Sequence, residues 1–186
     1  MNTAKEKNRG YIKIEGAARA LNFDFRDKTV LDIGSSTGGF TELALEKGAK
    51  KVIAVEKGTN QMKAPLRFDP RIDLHEKTDI FDVKAKPDVV VADVSFLSLT
   101  KILAYAKINL TRPTTEFLVM LKPQFEARPD QLRKGVVKNE TTRREIIKNF
   151  EYWLKNHGFI IIGKHDNNLA GKTGNLERFY YLKLAK

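Results

Sequence analysis

Short apolar runs alternate with segments of helical periodicity through most of this chain. The runs at residues 29–33, 51–56, 72–76, 88–93 and 116–121 have the length and composition of strands. Several contain almost no polar residues, which is typical of strands that are covered on both faces. The order of strands and helices predicts an α/β fold: a mostly parallel central sheet with helices on both faces.

The remaining segments complete this pattern. Helices are predicted at about residues 11–21, 40–47, 99–108 and 140–156, the last of them capped by Asn139. Strands at 159–164 and 178–184 are expected to pair as an antiparallel edge at the C-terminal end of the sheet. The polar, basic segment 124–138 is predicted to be a loop, long enough to be functional.

Composition limits the classes of function. The 186 residues include no cysteine, which excludes disulfides, thiolate metal sites and cysteine nucleophiles and is compatible with a cytoplasmic protein. No apolar run approaches the roughly 20 residues of a membrane helix. The net charge of +11, concentrated toward both ends of the chain, favours a polyanionic partner such as nucleic acid. Simple solubility is the alternative explanation of this charge.

A glycine-rich segment follows the first predicted strand and opens the next helix. Such a loop lets the backbone approach a ligand closely. It lacks the lysine of a phosphate-binding loop and the G-x-G-x-x-G spacing of dinucleotide enzymes. Glu56 ends the second strand, where a carboxylate can accept hydrogen bonds from ribose hydroxyls, and Asp79 follows the third strand, near the place of an adenine. This set predicts S-adenosylmethionine as the cofactor. The predicted cofactor-binding residues are Asp32, Gly34, Ser35, Ser36, Thr37, Gly38, Gly39, Phe40, Glu56, Asp79 and Asp93.

Two charged residues lie at the ends of later strands. Asp93 ends the fourth strand and Lys122 follows the fifth. Ligands of open α/β sheets bind at the carboxyl ends of the strands, so both side chains are expected in the same crevice as the glycine loop. Taken alone, a lysine at this position is also compatible with a solvated strand end.

The sequence resembles the TlyA (haemolysin A) family of FtsJ-like ribosomal RNA methyltransferases. Six blocks in the same order carry this resemblance. They are Arg-Gly-Tyr-Ile-Lys at 9–13, Asp-Ile-Gly-Ser-Ser-Thr-Gly-Gly-Phe-Thr at 32–41, Gly-Thr-Asn-Gln at 58–61, Ala-Asp-Val-Ser-Phe at 92–96, Lys-Pro-Gln-Phe-Glu at 122–126 and Gly-Asn-Leu-Glu at 174–177. The resemblance implies a Rossmann-like methyltransferase fold and methyl transfer to a ribose 2′-hydroxyl of ribosomal RNA.

The resemblance also implies a catalytic tetrad of Lys13, Asp93, Lys122 and Glu177. A ribose hydroxyl is a poor nucleophile at neutral pH, so we expect Lys122 to accept its proton or to stabilise the developing alkoxide. No metal is required for this reaction. Family members usually carry Asp at position 56 and Asn at position 79, so this chain departs from the family pattern at two cofactor positions.

Residues 1–186 are expected to form one methyltransferase domain, without the small RNA-binding domain that usually precedes it in the family. Ribosomal RNA or ribosomal subunits are the expected partners, and neither a membrane nor a metal is expected. Other interpretations are an RNA-binding module without activity, a membrane-active haemolysin, or a methyltransferase acting on a base, a protein or a small molecule. The predicted RNA-binding residues are Arg9, Arg128, Arg133, Lys134 and Lys138.

Overall fold

Seven strands form a single sheet in the computed structural model, which describes residues 7–167 and 174–185. The strands are β1 (Thr29–Ile33), β2 (Lys51–Val55), β3 (Ile72–His75), β4 (Val89–Ala92), β5 (Glu116–Leu121), β6 (Phe159–Asp166) and β7 (Arg178–Leu184). Their order across the sheet is β3-β2-β1-β4-β5-β7-β6. Strands β1 to β5 are parallel, and β7 runs antiparallel to both β5 and β6. The predicted parallel sheet with an antiparallel C-terminal edge is confirmed.

Five helices pack around this sheet in the described part of the chain. They are α1 (Arg9–Ala20), α2 (Gly39–Glu46), α3 (Leu99–Asn109), α4 (Pro123–Glu126) and α5 (Glu140–Asn156). Helices α1 and α2 share a buried apolar cluster with one face of the sheet, and α3 and α5 share a second cluster with the other face. Strand β4 is buried along its whole length, as its unbroken apolar run predicts.

Local signals in the sequence account for several helix ends. The side chain of Asn139 accepts hydrogen bonds from the backbone N–H groups of Thr141 and Thr142, 2.8 and 3.1 Å away, as a helix cap does. Gly48 and Gly158 follow α2 and α5 with positive φ angles of 89° and 74°. The capping asparagine and the two glycines therefore mark helix ends in the structure, as they do in the sequence.

The segment predicted as a loop at 124–138 has more structure than expected. It starts inside α4, continues through a 3₁₀ turn at Pro129–Gln131 and contains a small bridge between Arg133 and Val136. Periodicity does not predict elements of three or four residues, because each is shorter than the repeat on which the prediction depends.

Candidate active site

Two adjoining cavities lie at the carboxyl edge of the sheet. The first, of about 500 Å³, extends along the ends of β1 and β2, and the second, of about 580 Å³, reaches from the start of α1 to Lys122. Both are lined by the glycine loop after β1 and by the residues that follow β4. The shared lining residues are Gly34, Ser36, Asp93, Ser95 and Phe96. A ligand in the first cavity would therefore meet a ligand in the second at the end of β4.

The glycine loop brings its backbone against the end of β4. Gly34 has a φ of +80°, and a Cβ atom placed on it would lie 2.8 Å from the carbonyl oxygen of Asp93. At Gly39 a Cβ would meet the side-chain oxygen of Asn8 and the backbone N of Tyr11, at the start of α1. Both positions need glycine because neighbouring backbone occupies the space of a side chain.

Asp32 is completely buried beneath this loop. Its Oδ2 accepts a hydrogen bond of 2.6 Å from the Thr41 hydroxyl, whereas its Oδ1 has no hydrogen-bond partner among the residues that the structure describes. Burial raises the pKa of Asp32 to about 7, because removal from water disfavours the charged carboxylate. The Thr41 hydrogen bond opposes this rise. A buried carboxyl is thus placed beside the glycine loop.

Glu56 and Asp79 both line the first cavity. The Glu56 carboxylate accepts hydrogen bonds from the backbone N–H groups of Ser36 and Gly58, at 2.9 and 2.6 Å, and so links the glycine loop to the end of β2. Asp79 pairs with Lys57 at 2.7 Å, and this hydrogen-bonded lysine lowers the pKa of Asp79. The cavity wall therefore carries carboxylates at both predicted positions.

Two lysine–carboxylate pairs line the second cavity. Lys122 Nζ lies 2.6 Å from Asp93 Oδ1 and donates a hydrogen bond of 2.9 Å to the Ser95 hydroxyl. Lys13 of α1 and Glu177, directly before β7, form an ion pair in which both side chains are buried. The four residues of the predicted tetrad thus border one cavity as two separate pairs.

Other predicted cofactor residues divide between the two cavities. Ser36 lines both, and Ser35, Thr37, Gly39 and Phe40 line the second. Gly38 has a φ of +91° and adopts a conformation that glycine tolerates best, directly before α2.

Residues outside the predicted set also form part of this site. Phe96 is 93% exposed and has a φ of +65°, an uncommon conformation for a residue with a bulky side chain. Its ring contacts the half-buried ring of Phe125, with centroids 5.4 Å apart. Sequence periodicity cannot identify Phe96, because it predicts which apolar residues are buried and says nothing of an aromatic in an irregular loop.

Glu126 links the turn after Lys122 to the loop that follows Asp93. Its carboxylate accepts hydrogen bonds from the Ser98 hydroxyl and the Leu99 backbone N–H, both at 2.6 Å. Burial raises the pKa of Glu126. The contact connects α4, which begins directly after Lys122, to the start of α3, which follows the loop of Asp93. The sequence offers one signal for it: Glu126 closes the block that starts with Lys122.

The predicted RNA-binding residues differ in their surroundings. Arg9 lines the second cavity, and Arg128 pairs with Asp130 at 3.2 Å within its own turn. Arg133, Lys134 and Lys138 are exposed on the segment beyond α4. Within residues 7–167 and 174–185, no group of His, Asp or Glu side chains has the arrangement of a metal site, and no helix is long and apolar enough to cross a membrane.

Comparison with solved structures supports the fold. A Streptococcus thermophilus protein, provisionally described as a hemolysin, superimposes with a TM-score of 0.92 at 31% identity, covering 100% of this chain and 69% of that one. A protein from Listeria monocytogenes, provisionally described as an S-adenosylmethionine dependent methyltransferase, superimposes with a TM-score of 0.66 at 20% identity, covering 94% and 100%. The predicted Rossmann-like methyltransferase fold is therefore confirmed.

Sequence comparison agrees with this result. The 23S rRNA (cytidine-2'-O)-methyltransferase TlyA of Campylobacter jejuni is 35% identical over 178 residues, covering 94% of this chain and 69% of that protein. The chain spans about two thirds of the length of the first curated relatives it matches. The family model described as FtsJ-like methyltransferase matches residues 7–184. This chain belongs to the FtsJ-like methyltransferase family.

Proposed function

We propose that this protein transfers a methyl group from S-adenosylmethionine to the 2′-hydroxyl of a ribose in ribosomal RNA. The observation that carries the proposal is the pair of adjoining cavities, one bordered by the carboxylates of Glu56 and Asp79 and the other by two lysine–carboxylate pairs. The relatives named for ribosomal RNA 2′-O-methylation support the substrate class.

The residues of the first cavity fit S-adenosylmethionine. Glu56 presents carboxylate oxygens that have room for further hydrogen bonds from ribose hydroxyls, because a carboxylate offers about four acceptor positions. The glycine loop removes the side-chain volume that would block the ligand at Gly34. Asp32 is completely buried and lies outside the lining of both cavities, so it would support the start of α2 through its hydrogen bond with Thr41 rather than contact the ligand.

When bound, S-adenosylmethionine supplies a methyl group on a positively charged sulfur. With its amine in the neutral form, Lys122 would accept the proton that the ribose hydroxyl loses as its oxygen bonds to the methyl carbon, and the electron pair of the broken carbon–sulfur bond stays on sulfur. Asp93 and Ser95 hold the Lys122 side chain at the shared boundary of the cavities. Positioning of the hydroxyl by these groups supplies a large share of the catalysis, because the reacting atoms must be aligned.

Lys13 and Glu177, which also line the second cavity, would complete the tetrad. Their buried ion pair joins α1 to the residue directly before β7 and so links two parts of the cavity lining. Phe96 supports a nucleic acid as the substrate, since an exposed ring beside this cavity offers a surface on which a base can stack.

Methyl transfer tests the proposal directly. Unmodified ribosomal subunits would be incubated with labelled S-adenosylmethionine and the protein, and the labelled position would be mapped. We expect label on a ribose 2′-oxygen, and a loss of about 100-fold or more in rate for Lys122→Ala, as for the removal of a general base. Lys155→Ala, an exposed lysine at the far end of α5, serves as the matched control.

Two further measurements make the result specific. Calorimetry should show that Lys122→Ala still binds the cofactor, so that the loss of rate reflects chemistry. Lys122→Arg introduces a guanidinium that stays protonated and cannot accept a proton at neutral pH, and we expect it to be as inactive as the alanine variant. Label on a base, or full activity of Lys122→Ala, would contradict the proposed reaction.

A further inference from the structure

A two-residue hairpin projects from the segment between α4 and α5. Arg133 and Val136 exchange backbone hydrogen bonds of 2.9 and 3.1 Å. Lys134 and Gly135 between them have φ angles of +51° and +75°. Two successive positive φ angles define the tight turn that joins antiparallel strands with their natural twist. Residues 133–138, called the basic finger below, therefore have a defined conformation.

A single buried amide holds the basic finger in place. Asn175 is 2% exposed, its Oδ1 accepts a hydrogen bond of 3.0 Å from the Val137 backbone N–H, and its Nδ2 donates one of 3.1 Å to the Gly135 carbonyl. One side chain thus satisfies a donor and an acceptor of the finger's backbone. A surface loop that serves only to connect two helices needs no such anchor.

The anchor lies close in sequence to the proposed tetrad. Asn175 precedes Glu177 by two residues, which span at most about 7 Å of extended chain. Glu177 is itself fixed by its buried ion pair with Lys13. The finger is therefore tied to the wall of the second cavity through a short and rigid path.

The finger carries positive charge without local compensation. Arg133, Lys134 and Lys138 are exposed, and in the described ranges 7–167 and 174–185 none of them has an ion pair. By contrast, Arg128 on the preceding turn pairs with Asp130, and Arg178 pairs with Asp166 at 2.6 Å. Three uncompensated cations on a fixed hairpin form a surface that fits the phosphates of a nucleic acid.

We propose that the basic finger binds the RNA backbone beside the target nucleotide, and that Asn175 is the positioning residue that sets its place relative to the proposed tetrad. This inference rests on the proposed function, because it takes RNA as the substrate. It adds a contact surface and the residue that holds that surface.

The charge of the finger is tested by RNA binding at several KCl concentrations, with an in vitro transcript of large-subunit ribosomal RNA as the probe. The triple variant Arg133→Ala, Lys134→Ala, Lys138→Ala should lower the affinity about tenfold or more. It should also reduce the slope of log K against log salt by about 2, since each phosphate contact contributes about 0.7. Removing Lys47, Lys50 and Lys155 at the opposite edge of the sheet gives a control with the same loss of charge, and we expect this control to keep the wild-type slope.

The positioning role of Asn175 is tested with all three cations in place. Asn175→Ala should raise KM for RNA about tenfold and leave both kcat at saturating RNA and the affinity for the cofactor near wild type. Asn175→Asp keeps the acceptor for the Val137 N–H but loses the donor to Gly135, so an intermediate KM is expected. If Asn175 had only a structural role, Asn175→Ala would instead lower both kcat and the free energy of unfolding.

Gly135→Val gives an independent test that does not involve a buried residue. Gly135 has a φ of +75°, and a Cβ placed on it meets nothing within 4 Å, so valine would disturb the turn without touching the core. It should raise KM as Asn175→Ala does. Wild-type KM in both variants would overturn the positioning role.

The outcomes separate this inference from the proposed function. If the wild-type protein labels ribose and the finger triple variant does so with unchanged KM and salt slope, the proposed RNA-binding role of the basic finger is wrong and the proposed function stands. If the wild-type protein transfers no methyl group but its RNA binding depends on the finger, the finger stands and the proposed function is wrong.

Discussion

Asp32 has no exposure to water and receives one side-chain hydrogen bond. Its pKa of about 7 in the folded protein lies above the ordinary value of 3.8, so the folded chain holds this proton more tightly than the unfolded chain does. The stability that protonated Asp32 contributes is fully present below about pH 4 and is lost as the pH rises toward 7. At neutral pH the folded protein loses this stability, because a charged carboxylate is then buried beside the glycine loop.

Asp32→Asn should remove this pH dependence. The free energy of unfolding of the wild-type protein, measured by denaturant titration without cofactor, should fall relative to the variant between pH 4 and pH 7, by at most about 1.4 kcal/mol per pH unit. Asp82→Asn, an exposed carboxylate, should follow the wild-type curve. Parallel curves for wild type and Asp32→Asn would show that Asp32 ionises normally in the folded protein.

At the scale of single residues, position along the strands was the informative signal. Glu56, Asp93 and Lys122 each directly follow an apolar strand, and parallel strands bring such residues to one edge. The exposure of Phe96 was not predictable, because it depends on a positive φ in a loop that no local pattern specifies.

The elements around the site are joined by side chains that lie far apart in sequence. Glu126 of α4 caps the start of α3, 28 and 27 residues away from its partners. Through this contact the loop of Asp93 and the turn after Lys122 act as one unit. Loss of the carboxylate would free both.

Glu126→Ala should therefore destabilise the protein and reduce activity. It leaves the Ser98 hydroxyl and the Leu99 N–H without their acceptor, which should lower the free energy of unfolding by about 1 to 3 kcal/mol in a denaturant titration. Asp130→Ala, on the exposed turn of the same segment, should change it by less than about 0.5 kcal/mol. Equal stability of the two variants would show that the Glu126 contact does not hold the loops together.

At the scale of elements, the sequence predicted what depends on a repeating pattern. The strands and the four longer helices follow from apolar periodicity, and the start of α5 follows from Asn139 as a cap. The hairpin anchored by Asn175 was not predictable, since its hydrogen bonds join residues 38 and 40 positions apart. Composition alone indicates only a basic loop there.

For the whole molecule, cofactor binding should appear as stabilisation. A ligand at 100 times its Kd adds about 2.7 kcal/mol to the free energy of unfolding, which raises Tm by roughly 5 to 10 °C for a chain of this size. We expect S-adenosylhomocysteine to produce this shift in a thermal scan. Glu56→Ala should reduce it, and Glu145→Ala, an exposed glutamate on α5, should not. A Tm that does not respond to millimolar ligand would contradict the proposed cofactor site.

The overall architecture was predictable because strands and helices alternate along the chain, an order typical of a parallel sheet with helices on both faces. The two apolar clusters, one on each face, agree with this prediction. The pairing of Lys13 with Glu177 was beyond such reasoning. Only the resemblance to a family placed these residues in the site, because no periodic signal relates two positions that are 164 residues apart.

The positions of Lys13 and Glu177 in the chain also determine when the site can be completed during translation. Lys13 leaves the ribosome first, and at about 5 to 20 residues per second Glu177 follows it about 10 to 30 s later. A nascent chain can pair β1 with β2 long before β7 exists, yet the second cavity still lacks one wall. A product of interrupted synthesis that ends before Glu177 therefore lacks the complete proposed tetrad, however well its first strands have folded.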